Sequence, residues 1–133
     1  MKGLDTPVLL EILEGRPSAQ KLLQEFSGEE VGTTELNLFE LAAIARSLGA
    51  PGLERRLAAV ERLRRGLTVL PLDDRASRAA ASKWRGKGQG LSDATWLVFG
   101  ALAANGCTEW ITSRSAGFPN VPTKVRLRRR AIQ

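Results

Sequence analysis

Residues 2–15, KGLDTPVLLEILEG, form the strand–helix unit from which the fold can be worked out. Lys2–Leu4 is predicted as a minimal strand and Pro7–Glu14 as an amphipathic helix that begins with a proline, a residue suited to a first helical position. Asp5 lies between them. It or Thr6 can cap the helix by accepting a hydrogen bond from a free N–H of the first turn. The alternative is a functional carboxylate at the end of a strand.

The rest of the chain repeats this alternation of short β-like runs and helical stretches. Further strands are predicted at 31–34, 67–72, 108–112 and 124–128, and helices at 19–26, 35–48, 53–65, 73–84 and 92–105. Alternating elements of this kind form a parallel sheet with helices on both faces. We therefore predict an α/β fold, a three-layer α/β/α sandwich with a central parallel sheet of about four or five strands.

Two of these predicted strands have informative patterns. Residues 67–72, LTVLPL, are apolar apart from one threonine, which predicts a strand buried on both faces. Residues 124–128, KVRLR, alternate strictly between basic and apolar side chains. That pattern predicts an edge strand whose charges prevent further pairing.

The composition excludes several classes of protein and site. A chain of 133 residues predicts one domain, 1–133, and its single cysteine, Cys107, cannot form an internal disulfide. With no histidine, a His-ligated zinc site or a Ser-His-Asp triad is excluded. Because no apolar run is long enough for a bilayer and no signal peptide is recognisable, we expect a cytoplasmic protein without a membrane partner.

The net charge of +6 is unevenly distributed along the chain. Residues 1–40 contain eight acidic and three basic side chains, whereas residues 41–133 contain six acidic and 17 basic ones. Most of the excess is arginine, which suits phosphate recognition better than lysine does. The pattern favours a polyanionic partner such as RNA.

Glu40 interrupts a helical stripe of apolar residues. Leu36, Glu40, Ile44 and Leu48 are spaced by four, so they share one side of the predicted helix. No lysine or arginine lies within four residues of Glu40 to form a local ion pair. Because a buried unpaired carboxylate is costly, either this side faces a polar cleft, a cation compensates, or Glu40 is exposed on a helix phased differently.

Asp93 opens a predicted helix, 92–105, that is apolar on nearly all sides. Ser92 can cap this helix, and an acidic residue in the first turn complements the helix dipole, which is one explanation of Asp93. The other is that the polar N-terminus of a buried helix lies at an opening in the structure.

Three acids thus lie at or near predicted strand–helix junctions: Asp5, Glu40 and Asp93. Ligands of open α/β sheets bind beyond the carboxyl ends of the strands. Clustered carboxylates repel one another unless a cation joins them, and Mg²⁺ prefers oxygen ligands. Carboxylates, a divalent metal and a basic surface together favour phosphodiester hydrolysis.

Four stretches of the chain resemble motifs of a known family. They are LDTPVLLEIL (4–13), TTELNLFELAAIAR (33–46), LTVLPLDDRASRAAA (67–81) and LSDATWLVFGALAANGCTEWITSRSAGF (91–118). In these the chain resembles PIN-domain nucleases, and small chains of this kind resemble the VapC-type toxins of toxin–antitoxin pairs. The resemblance covers about residues 1–118, leaving 119–133 as a basic C-terminal strand or tail.

The resemblance implies a fold, an activity and a site. The fold is PIN-like, with the first strand at the centre of the sheet. The activity is metal-dependent endoribonuclease cleavage of RNA, with Mg²⁺ or Mn²⁺ as cofactor, a small antitoxin as partner and a homodimer as the usual assembly. Asp5 and Asp93 would hold the metal directly, and Glu40 directly or through water. Further pocket or phosphate contacts would come from Thr6, Thr112, Ser113, Arg114 and Ser115.

Two departures from the family pattern leave alternatives open. Arg114 occupies a place where the family usually has a fourth acid or an asparagine, and Pro7 follows the Asp-Thr pair where Ser or Asn is frequent. Arg114 either competes with the metal for the carboxylates or grips an RNA phosphate. The first case favours a PIN-fold module that binds RNA or a protein without cleaving. A flavodoxin-like binding domain is a third interpretation, but it leaves Glu40 unexplained.

Overall fold

The computed structural model describes residues 1–84, 92–113 and 128–132, with side chains for the last segment at Arg130 alone. Strands and helices alternate along the chain, as predicted. In order they are β1 (Lys2–Leu4), α1 (Thr6–Leu13), α2 (Pro17–Glu25), β2 (Val31–Thr34), α3 (Glu35–Ser47), α4 (Leu53–Gly66), β3 (Thr68–Leu70), α5 (Asp74–Lys83), α6 (Asp93–Ala104), β4 (Glu109–Ser113) and β5 (Arg128–Ile132).

The described strands form one parallel sheet in the order β3-β2-β1-β4-β5. β1 lies at the centre, paired through Lys2 with both Val31 of β2 and Glu109 of β4. The backbone N–H of Asp5 donates to the carbonyl of Ile111 at 3.3 Å, which extends the pairing one residue beyond β1. The predicted α/β fold, with a parallel sheet of about four or five strands and the first strand central, is confirmed by the five described strands.

The sheet separates two hydrophobic cores. Successive strand residues point to opposite faces, so Trp110 and Ile111 of β4 belong to different cores. Ile111 and Leu4 pack with α1, α2, α3 and α4, whereas Trp110 packs with Phe99 and Leu102 of α6. Helices on both faces make the predicted three layers.

The predicted strand at 67–72 is only partly correct. The structure has a shorter strand, β3, at one edge of the sheet, where Thr68 and Val69 are half-buried and only Leu70 is buried. An edge strand has one neighbour, here β2, so its other flank is open. A run of apolar residues therefore did not distinguish an edge strand from one that is enclosed.

A basic strand near the C-terminal end lies at the edge of the sheet, as predicted, and its described residues are Arg128–Ile132. β5 is the outermost strand next to β4 and begins at Arg128, whereas 124–127 lie outside the described residues. Arg130 Nη1 lies 2.9 Å from Glu25 Oε2 of α2, a pair in which both side chains are partly exposed.

Two expectations drawn from composition can be compared with the structure. No helix among the described residues is long and apolar enough to cross a membrane. Cys107 is buried next to the aromatic core, and burial raises the pKa of its thiol to about 11. The thiol is therefore protonated near neutral pH, and Cys107 is a small core residue rather than a nucleophile.

Candidate functional site

Asp5 occupies the N-cap position of α1, but its side chain does not cap the helix. Its Oδ2 instead accepts a hydrogen bond from the indole Nε1–H of Trp110, at 3.2 Å, across to β4. Only 8% of the residue is exposed, and Oδ1 is buried without a hydrogen-bond partner among the described residues. Asp5 therefore forms no cap hydrogen bond of normal length, although the backbone N–H of Val8 in the first turn lies near enough to lower its pKa, and capping alone does not account for the bond to Trp110.

Burial raises the pKa of the Asp5 carboxyl from its ordinary value of 3.8 to about 6. The hydroxyl of Thr112, the indole N–H of Trp110 and the backbone N–H of Val8 oppose this shift, and the negative charge of Glu40 adds to it. Within the part of the chain that the structure describes, no cation contributes to the shift. Asp5 is thus a carboxylate near neutral pH in surroundings that a positive ion would stabilise.

Glu40 is connected to this end of the sheet through Thr6. The Thr6 hydroxyl donates to Glu40 Oε1 at 3.1 Å and accepts from Asn37 Nδ2 at 3.1 Å. Asn37 Oδ1 in turn accepts from the hydroxyl of Thr34, the N-cap of α3, at 2.6 Å. A hydrogen-bond chain running from the end of β2 therefore orients Thr6, which follows Asp5 directly, toward Glu40.

The stripe on which Glu40 was predicted is not the core side of α3. Leu38, Leu41 and Ala45 are buried, whereas Leu48 is 63% exposed and Glu40 itself is exposed. The helix is apolar on several sides, so spacing alone did not give its rotation about its axis. Glu40 is therefore exposed, as one of the interpretations predicted. Its hydrogen bond with Thr6 was not predicted from the sequence.

Asp93 is exposed in the first turn of α6. Ser92 caps this helix, since its Oγ accepts from the backbone N–H of Thr95 at 3.2 Å. Asp93 lines a cleft of about 270 Å³ between α5 and α6, together with Trp84 and Trp96. The described residues contain no group of three acidic side chains that could hold a metal ion, so the place of Asp93 in a common site with Asp5 and Glu40 stays a prediction.

The remaining predicted contacts lie at the end of β4 or beyond it. Thr112 is buried beside Asp5, as its effect on the Asp5 carboxyl shows. The Ser113 hydroxyl donates to Glu11 Oε1 of α1 at 2.6 Å. Arg114 and Ser115 lie outside the described residues, so both alternatives for Arg114 stay predictions.

Three residues that hydrogen-bond to predicted site residues were not identified from the sequence. They are Trp110, Asn37 and Glu11, whose Oε2 is buried without a partner among the described residues. Asn37 had a local signal, because a polar side chain three residues after an N-cap threonine is placed to interact with the cap. Trp110 had none, since its bond to Asp5 depends on the pairing of two strands more than 100 residues apart.

The oxygen groups at the carboxyl end of β1 suit a hard divalent cation. Oδ1 of Asp5 is buried with no partner at hydrogen-bond distance among the described residues, and the neighbouring groups are the carboxylate of Glu40 and the hydroxyls of Thr6 and Thr112, the last near enough to lower the pKa of Asp5. Mg²⁺ and Mn²⁺ prefer such ligands and keep several waters. Within 1–84, 92–113 and 128–132, however, no three acidic side chains lie close enough together to hold a metal ion.

Comparison with known proteins agrees with the fold and the motifs. The PIN-domain family model matches residues 3–122. Ribonuclease VapC19 from Mycobacterium tuberculosis (strain ATCC 25618 / H37Rv) is 31% identical over 126 residues, covering 92% of this chain and 95% of that protein.

Two solved structures show the same fold. The structure of VapBC2 from Rickettsia felis bound to a DNA fragment from their promoter gives a TM-score of 0.79 at 13% identity, covering 99% of this chain and 98% of that one. DNA-bound VapBC from Salmonella typhimurium gives 0.75 at 21% identity, covering 97% and 98%. With the family match over residues 3–122, these results confirm the resemblance: the chain belongs to the PIN-domain family and, within it, to the VapC-type members.

Proposed function

We propose that this chain is a metal-dependent endoribonuclease that hydrolyses RNA phosphodiester bonds and is the toxin of a toxin–antitoxin pair. The observation that carries the proposal is the buried Asp5 carboxylate: among the described residues, one of its oxygens has no partner at hydrogen-bond distance and no cation shifts its pKa. The relative named ribonuclease VapC19 supports the activity, at 31% identity over most of both chains.

Asp5 and Asp93 would hold the divalent ion directly, and Glu40 directly or through water. The ion, Mg²⁺ or Mn²⁺, supplies Lewis-acid stabilisation of negative charge on a phosphate oxygen. Asp93 comes from the exposed first turn of α6, where the helix N-terminus also favours an anionic phosphate.

The chain's own groups prepare this chemistry. Burial at the carboxyl end of the central strand β1 keeps water from Asp5, and the Trp110 indole N–H donates to one of its oxygens. Thr6 holds Oε1 of Glu40, which leaves Oε2 to accept a hydrogen bond or a proton from an attacking water. The arginine-rich remainder of the chain, residues 41–133, would attract the RNA backbone.

The catalytically impaired module stays the alternative. It is favoured by the absence of a three-acid cluster among the described residues and by the arginine at position 114. Such a protein would bind RNA or a protein partner and leave the phosphodiester bond intact.

The test is RNA cleavage by the purified protein with Mg²⁺ or Mn²⁺ and with EDTA. We expect cleavage that requires the metal and falls by roughly 10²-fold in Glu40→Gln, because that change removes a proton acceptor and a charge from the site. Glu35→Gln is the matched control on the same helix; Glu35 is exposed and pairs with Arg64. It should leave cleavage within about twofold. RNA binding without cleavage at any metal concentration would establish the impaired module instead.

We extend the proposal to a small antitoxin and to a homodimer. The similar solved structures are VapBC complexes, and two large apolar side chains of α3 and its C-cap are exposed here, Phe39 at 67% and Leu48 at 63%. Association would remove such surface from water. Sedimentation of the chain alone at tens of micromolar should show a dimer, and a monomer there would contradict that part of the proposal.

A further inference from the structure

We propose that Trp110 is a positioning residue for the metal site, because its indole N–H holds the Asp5 carboxylate in the orientation that leaves Oδ1 available to a divalent cation. This inference rests on the proposed function, since it assigns a role toward the same cation. It adds a residue that neither the acidic motifs nor the basic surface identifies.

The two carboxylate oxygens of Asp5 have different surroundings. Oδ2 accepts from Trp110 Nε1 at 3.2 Å, whereas Oδ1 is buried without a partner among the described residues. Turning the carboxylate plane about the Cβ–Cγ bond would break the indole bond. The bond therefore fixes the direction in which the second oxygen is presented, as outer partners do for ligands in other metal sites.

The indole is itself held rigidly. Trp110 is 2% exposed, and its ring lies 6.4 Å from that of Phe99, which contacts Trp96 edge-to-face at 5.6 Å. In the sheet Trp110 pairs with Gly3 of β1, and Asp5 follows two residues after Gly3 on the same face of the sheet. Gly3 has no side chain, and a Cβ there would lie 2.5 Å from Leu102 Cδ2.

A neutral donor suits this role better than a charged one. Lysine or arginine at the same place would also bind the carboxylate, but its charge would repel a divalent cation. The indole N–H orients Asp5 without neutralising it. When ionised, the buried carboxylate therefore offers its full charge to the cation. Its pKa is raised because it is buried, as described above.

Trp96 provides a matched control for a purely structural role. It lies in the same aromatic core, is 3% exposed, and its Nε1 is buried without a partner among the described residues. Replacement by phenylalanine removes the same atoms at either position. Only Trp110→Phe removes the bond to Asp5, so an effect of lost packing should be shared by the two variants.

The first measurement is Mn²⁺ affinity, by calorimetry, of the wild type and of both variants. We expect Trp110→Phe to bind Mn²⁺ about tenfold or more weakly, the range seen when an outer partner of a metal ligand is lost. Trp96→Phe should stay within about threefold of the wild type. An unchanged affinity in folded Trp110→Phe, or equal losses in both variants, would overturn the inference.

The second measurement needs neither activity nor a folded Trp110 variant. In the ¹H–¹⁵N spectrum of the metal-free protein, the indole resonance of Trp110 should lie downfield, and Asp5→Asn should move it far more than that of Trp96. Mg²⁺ should likewise shift it in the wild type. A wild type that binds no divalent ion would contradict the proposed function; ion binding that leaves the Trp110 resonance unmoved would contradict the positioning role alone.

Discussion

Replacing Asp5 with asparagine is expected to lower RNA cleavage by roughly 10³-fold while raising the thermal stability of the metal-free protein. The loss of activity follows from the proposed role of Asp5, because asparagine lacks the charge that attracts a divalent ion. The gain in stability follows from the burial of a carboxylate, one oxygen of which has no partner at hydrogen-bond distance among the described residues.

The size and pH dependence of the stability gain follow from the pKa of Asp5, which is about 6 in the folded chain against an ordinary 3.8. The folded state therefore binds the proton more tightly, and the contribution of Asp5 to stability falls as pH rises from about 4 to about 6. Above that range the ionised group costs about 3 kcal/mol, or roughly 10 °C in melting temperature. Asp5→Asn should lack this pH-dependent decline.

The measurement is calorimetric unfolding in EDTA at about pH 4.5 and about pH 7. Asp74→Asn is a suitable control, since Asp74 is exposed and pairs with exposed Arg78; its melting temperature should change by about 2 °C or less. We expect Asp5→Asn to exceed the wild type by more at the higher pH. A variant that melts below the wild type at about pH 7 would show that the carboxylate stabilises the fold.

Gly100→Ala is expected to destabilise the fold by roughly 3 kcal/mol or more. Gly100 lies in α6 where that helix crosses α5, and an added Cβ would lie 2.0 Å from the carbonyl oxygen of Ala76 and 2.9 Å from Ala80 Cβ. The obstructing atoms are mostly backbone, which cannot rotate away. The two helices must therefore separate, and the surrounding contacts of Phe99 and Leu102 with the sheet must loosen.

Gly66→Ala is the control for this change. Gly66 is the last residue of α4, and an added Cβ would meet no atom within 4 Å, so the variant should be neutral or more stable by about 0.5 kcal/mol. Urea unfolding should give a lower midpoint for Gly100→Ala alone. Similar midpoints in the two variants would show that α5 and α6 accommodate the methyl group by a small shift.

The alternating elements, the parallel sheet and the family follow from the sequence alone. These properties are encoded locally: residues 2–15 contain a strand, a turn residue and a helix with its proline, and similar units recur along the chain. The bounds of β1 and β2 were predicted exactly, and those of α3 to one residue, because caps such as Thr34 and breakers such as Gly49 lie beside them.

The contacts of Asp5, by contrast, depend on tertiary packing. By local rules it is a helix cap, yet its carboxylate bonds to Trp110, which the pairing of β1 with β4 brings to it. Tertiary packing likewise turned Glu40 to the exposed side of α3 and left β3 at an edge. Short-range patterns indicate which secondary-structure element a residue prefers. Strand order, register and helix rotation depend instead on how the elements bury one another. Those long-range contacts determine the surroundings of a carboxylate.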